Sequence, residues 1–126
     1  MTLSKPSLAD YITGKLSQPF EYGVNDCILF TIGWVEIATG KKYLPAKLWK
    51  NEKEALRLIK KHGGLIAVFD KHYTRIEPNY ARDGDLTIVD GIAYLFSGVS
   101  IVSVGQSGLL NKSRIIATTA WTFSHG

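Results

Sequence analysis

Apolar and polar positions recur along this chain with two different periods, and the change falls near Gly84. Upstream, the spacing is helical. Leu8, Tyr11, Ile12 and Leu16 make one face behind Ser7 as N-cap; Gly14 weakens that segment and Pro19 ends it. Positions 20–25 form a loop in which Gly23 is free to take unusual backbone angles. Asn25 and Asp26 are good N-cap residues. After them Cys27, Ile28, Leu29, Phe30, Ile32, Trp34, Val35 and Ile37 are apolar almost all round, which predicts a buried central helix. Gly40 stops it, and Lys41-Lys42 suit its C-terminal end. A short helical turn is predicted over 45–49. Asn51 then caps a surface helix with Ala55, Leu56 and Ile59 inward and Lys53, Arg57, Lys60 and Lys61 outward, ended by Gly63-Gly64. A further short helix over 65–69 and an irregular stretch over 73–80 complete the first half.

Downstream of Gly84 the residues become β-branched and the runs short. Strands are predicted over 86–89, 92–96 and 99–104, joined by an Asp90-Gly91 hairpin turn and by Gly98. Gly105-Gln106-Ser107-Gly108 reads as a turn. Positions 113–122 read as a strand and a short helix ending at Trp121. Helices first and antiparallel strands second imply an α+β domain, with the buried helix packed on the later sheet.

Composition narrows this reading. The chain has 126 residues and 45% hydrophobic positions, the content of one globular domain spanning 1–126. Its longest apolar run, within 27–38, is interrupted by Thr31, Gly33 and Glu36, and is too short for the ~20 residues of a membrane span. No apolar stretch follows residues 1–6, so no secretory signal peptide is expected. The net charge of +4 permits a polyanionic partner without requiring one. Lys50, Lys53, Arg57, Lys60 and Lys61 make either a solvated face or a contact for an acidic neighbour in an assembly. No nucleic-acid-binding fold accompanies the charge, and nucleic acid is not an expected partner. His62, His72 and His125 show no ligand spacing with the single cysteine, so neither a metal nor a cofactor is expected.

That cysteine, Cys27, carries the candidate chemistry. A thiol at a helix N-terminus feels the positive end of the macrodipole, which lowers its pKa, and first-turn N–H groups can stabilise an oxyanion. A cysteine hydrolase also needs a base and a group to orient it. The other reading is a small hydrophobe in a core, and the Asp26 carboxylate next door opposes thiolate formation. Asp85 either bonds backbone where its strand begins or lines the cleft. Trp34 is expected in the core, while Trp49 and Trp121 are interface candidates.

Pro19-Phe20-Glu21-Tyr22-Gly23-Val24-Asn25-Asp26-Cys27-Ile28-Leu29-Phe30 resembles the nucleophile segment of the NlpC-type cysteine peptidases, where a Tyr/Trp-Gly loop runs into Asp-Cys at the head of the central helix. Ala81-Arg82-Asp83-Gly84-Asp85-Leu86 resembles the family's Gly-Asp-Leu at its first core strand. Gly63-Gly64-Leu65, Gly108-Leu109 and Ala120-Trp121 resemble marks of a small branch of that family found in tailed phages and prophages. The resemblance covers roughly 15–122.

The resemblance implies a compact papain-like α+β fold, with Cys27 as candidate nucleophile and Tyr22, Asp26, Asp85 and Asp90 as candidate binding residues. Active members cut cell-wall peptides, using a histidine just after the hairpin. Here that stretch, Val89-Asp90-Gly91-Ile92-Ala93-Tyr94, contains no histidine; Asp90 occupies the position, and only serines stand at 100–103 for the third polar group. A carboxylate of ordinary pKa is a poor base for a thiol. The expected function is therefore a catalytically incomplete tail component, made in the host cytoplasm and carried in the virion tail, at its tip. Its expected partners are other tail proteins and cell-wall peptide. The alternative is an active hydrolase of peptidoglycan stem peptides.

Overall fold

The computed structural model describes residues 6–41 and 49–123. The short turn expected over 45–49 lies outside these except for Trp49, and His125 lies outside them altogether. Among the described residues, four helices precede all six strands of an antiparallel sheet: α1 (Leu8–Leu16), α2 (Cys27–Thr39), α3 (Glu52–Lys61), α4 (Leu65–His72), then β1 (Thr74–Ile76), β2 (Leu86–Val89), β3 (Ile92–Ser97), β4 (Ser100–Gly105), β5 (Gly108–Ser113) and β6 (Ala120–Thr122), in the order β1-β6-β2-β3-β4-β5. The chain is α+β, as the change of period predicts.

The expected caps are formed. Ser7, Asp26 and Asn51 each accept a bond from the backbone N–H three residues on, and Gly40 ends α2 in the left-handed conformation. The Asp90-Gly91 turn has both residues at positive φ, the geometry that suits the twist of a two-residue hairpin. α2 buries Phe30 and Val35 almost completely, each contributing about 1.5–3 kcal/mol. It lies on the sheet face formed by Leu86, Ile88, Ala93, Leu95, Val102 and Val104. The opposite face, with Tyr94, Phe96, Ile101 and Ala120, is closed by loops. Arg114 clamps those loops: its guanidinium lies 4.9 Å from the Phe96 ring centre and donates to the carbonyls of Gly98, Pro78 and Ala81.

Four expectations need correction. The stretch 73–80 is not wholly irregular, because β1 lies in it and pairs with β6 from Thr74↔Thr122 to Ile76↔Ala120. The chain from Gly108 onward forms β5 directly, and 120–122 is a strand, not a helix end. Leu56 is 58% exposed, and Leu58 takes its place inward. Ala55, Leu58, Ile59 and His62 follow the i, i+3, i+4, i+7 stripe; Leu56 lies off it. Trp49 and Trp121 are buried, not displayed for an interface. Asp70 accepts from both the Trp121 indole and Arg75, tying α4 to β6 and β1. Trp34 is half-buried against α1 and Gly84.

The α1–α2 contact turns on one hydroxyl. The Tyr11 O–H donates to the Phe30 carbonyl at 2.6 Å, and a Cβ at Gly33 would lie 2.5 Å from that oxygen. Helix propensity alone favours Gly33→Ala by ~1 kcal/mol, yet here it is expected to destabilise by about 1–3 kcal/mol, as overpacking does. In a Tyr11→Phe background the same substitution becomes neutral or stabilising. Thermal unfolding of the two single variants and the double variant measures this sign change.

Candidate functional site

The loop before α2 and the first turn of that helix are organised around Asp26, which is 2% exposed. One carboxylate oxygen accepts from the Leu29 N–H at 2.9 Å. The other accepts from the Gly23 N–H at 2.9 Å and from the Trp49 indole N–H at 2.6 Å. Gly23 sits at φ +82, and a Cβ there would collide with the Trp49 carbonyl, so this position tolerates only glycine. Asn25, also 2% exposed, donates its amide N–H groups to the carbonyls of Lys15, Gln18 and Pro19 and so fastens the loop to the end of α1.

Cys27 follows as the first residue of α2, half-buried. The backbone N–H groups of Ala93 on β3, of Cys27 itself and of Ile28 act to favour its thiolate. The β3–β4 pairs run from Ser97↔Ser100 only to Leu95↔Val102, while β4 continues to pair with β5 as far as Gly105↔Gly108. The head of α2 meets β3 beyond the last β3–β4 pair. The expected fall in the Cys27 pKa is reversed. Burial pushes the thiol up, the Asp26 carboxylate adds to the rise, and the three N–H groups offset only part of it.

Tyr22 stands beside this thiol. Its hydroxyl pKa is also raised, first by burial and then by the charges of Glu52, Cys27 and Asp26, against a hydrogen bond from the Gln106 side chain in the β4–β5 turn. Tyr94 is raised by burial, by Asp90 and by Cys27. Of the expected site residues, Tyr22, Asp26 and Cys27 are therefore brought together, and Asp90 is exposed in its hairpin turn. Asp85 is elsewhere. It is 4% exposed, and its carboxylate accepts from the Arg82 N–H and the Thr122 hydroxyl; this is the backbone-bonding role weighed for it. Gln106 and the Ala93 N–H belong to the site without any sequence signal, and Trp49, expected at an interface, belongs to it as a buried donor to Asp26. Gln106 looks like any turn residue, and a backbone donor has no residue type.

Among the described residues, the groups acting on the Cys27 sulfur are the Asp26 carboxylate and three backbone N–H groups, and none is a histidine. His62 and His72 line a groove between α3, α4 and the Ile28–Ile32 side of α2. Among those residues, no group of three His, Cys, Asp or Glu side chains is placed to hold a metal, and no helix is long and apolar enough to cross a membrane. The arrangement holds the thiol at the head of α2 beside the Tyr22 phenol.

A family model described as a domain of unknown function, DUF6950, matches residues 2–123. No curated protein and no solved structure matches the chain.

Two outcomes follow. Alkylation of Cys27 by iodoacetamide should be slow at pH 7 and should still be accelerating at a pH where a free-cysteine peptide has reached its plateau, because the thiolate is the reacting form. Asp26→Ala should lower stability by about 2–4 kcal/mol, since it removes an N-cap and strands a buried indole N–H. Denaturant unfolding checks the second.

Proposed function

The chain belongs to the DUF6950 family, and on that footing we propose that it is a catalytically incomplete NlpC-type, papain-like domain in the tail of a phage or prophage. It acts at or near the tail tip, in assembly or in engaging cell-wall peptide. The observation that carries this reading is what meets the sulfur. Cys27 heads the central helix, where a nucleophile of that family belongs, but the β3 group facing it is the Ala93 N–H. A thiol held neutral, with no histidine acting on it among the described residues, does not attack an amide at a useful rate. The donors around it can still bind a peptide carbonyl, and Tyr22 and Gln106 close one side with groups that hydrogen-bond.

The Asp-Cys segment itself has a folding role that accounts for its presence without turnover. Asp26 caps α2 and anchors Trp49, and Gly23 makes room for the Trp49 backbone. The tail assignment rests on the resemblance of Gly63-Gly64-Leu65, Gly108-Leu109 and Ala120-Trp121 to the phage branch.

Purified chain and Cys27→Ala incubated with peptidoglycan test the catalytic half. Both are expected to sediment with the wall polymer and to release no stem peptides; cysteine-dependent release overturns the reading in favour of an active hydrolase. Mass spectrometry of purified virions tests the other half, with the chain expected as a tail constituent and its absence from virions excluding that role.

A further inference from the structure

Among the described residues, the three most exposed large hydrophobic side chains are Ile115, Val99 and Tyr80, at 83%, 81% and 77%. They come from three different segments. Tyr80 ends a 3₁₀ turn at Pro78–Tyr80, Val99 lies in the turn between β3 and β4, and Ile115 lies in a second 3₁₀ turn at Arg114–Ile116. Arg114 brings these segments together. Its backbone N–H donates to the Val99 carbonyl, and its guanidinium donates to the carbonyls of Pro78, Ala81 and Gly98. Each of the three hydrophobics therefore adjoins Arg114 or carries or adjoins a carbonyl bonded to it. Ile116, also exposed, extends the cluster. The other exposed large hydrophobics are spread over α1, the 20–25 loop, α3, α4 and β5.

Single exposed hydrophobics are ordinary, whereas a contiguous patch marks a contact. The four side chains together expose roughly 500 Å², the size of the largest patch on a typical monomer and often a functional one. The loops that carry them are fixed in advance, by Arg114 and by the Asp83 carboxylate, which accepts from the Gly98 N–H at 2.7 Å; little ordering remains to oppose binding. The exposed charges of the segments 77–83, 97–100 and 112–116 are Glu77 and Asp83 against Arg82 and Lys112, which sum to zero on a chain of net +4. Arg114 itself is half-buried, with its guanidinium over the Phe96 ring.

We infer that this patch is a two-fold interface between two copies of the chain. Charge favours a second copy over a partner of another chemistry. A surface for a strongly charged partner carries one sign, whereas here acids and bases are balanced around an apolar centre. A two-fold axis makes such a surface self-complementary, because each acid can meet a base of the other copy. Area agrees with this. Roughly 500 Å² from each copy gives about 1,000 Å² before the polar rim is counted, which is what a specific interface must clear. The inference does not depend on Cys27 or on the function proposed above.

Sedimentation equilibrium of the full chain tests the interface. Over about a hundredfold range of concentration the data should fit a monomer–dimer equilibrium, and the melting temperature should rise with concentration, as it does when association stabilises the folded state. Ile115→Asp and Val99→Asp, which set a carboxylate in the apolar centre, should each weaken dimerisation at least about tenfold. Both positions are exposed, so at the lowest concentration each variant should melt with the unsubstituted chain. Should one variant fail to fold, the other carries the test. Leu109→Asp, exposed on β5 outside the patch, should dimerise as the unsubstituted chain does. A chain that stays monomeric over the whole range, a dimer that survives the patch substitutions, or association that continues past the dimer would overturn the proposal.

Discussion

One buried carboxylate holds the helical half together. Asp26 accepts three donors from three different parts of the chain: the Gly23 N–H in the preceding loop, the Leu29 N–H in the first turn of α2, and the Trp49 indole from beyond that helix. Each bond would contribute about 1 kcal/mol by itself, but a carboxylate this deeply buried is tolerable only because all three are made. The loop conformation, the start of α2 and the seat of Trp49 are therefore one cooperative unit. Cys27 takes its position from that unit, one residue after the cap.

The strand half is held by contacts of a different kind. β6 returns from the C-terminal part of the chain to sit between β1 and β2, and its Trp121 and Thr122 bond to Asp70 of α4 and Asp85 before β2. Arg114 gathers three loops over the sheet's second face while its cationic plane covers Phe96. These are joins between residues far apart in sequence. They make the sheet a closed lattice in which α2 has only one face to lie on.

This division explains what could be read from the sequence. α1, α2, α3, their caps and the β2–β3 hairpin follow from local rules: a Ser, Asp or Asn before an apolar period, or an Asp-Gly between β-branched runs. β1 and β6 have three residues each and no hydrophobic period of their own; they exist because they pair with each other across the chain, which no local pattern announces. β5 escaped for a related reason. Its exposed residues, among them Asn111, Lys112 and Ser113, show no apolar–polar alternation to mark a strand. At the candidate site, Tyr22, Asp26 and Cys27 were legible as a motif. Gln106 and the Ala93 amide were not, because they arrive from a turn and a strand backbone.

Cys27 also shows how two correct local rules can give the wrong net sign. The helix terminus does favour the thiolate, and the N–H groups of Cys27 and Ile28 act in that direction. Such terminal effects are worth about 0.3–1 kcal/mol at exposed positions and up to ~2 kcal/mol in partly buried ones. Desolvation of a charged group under a packed sheet outweighs that, and a carboxylate one residue away adds to it. The difference between an activated and a quiescent cysteine at the same helix position lies in the strand opposite. An imidazolium there would add an opposing charge, whereas a backbone amide adds a single neutral hydrogen bond. Ala93 is fully buried on the sheet face that α2 covers, so what β3 presents to the sulfur there is backbone.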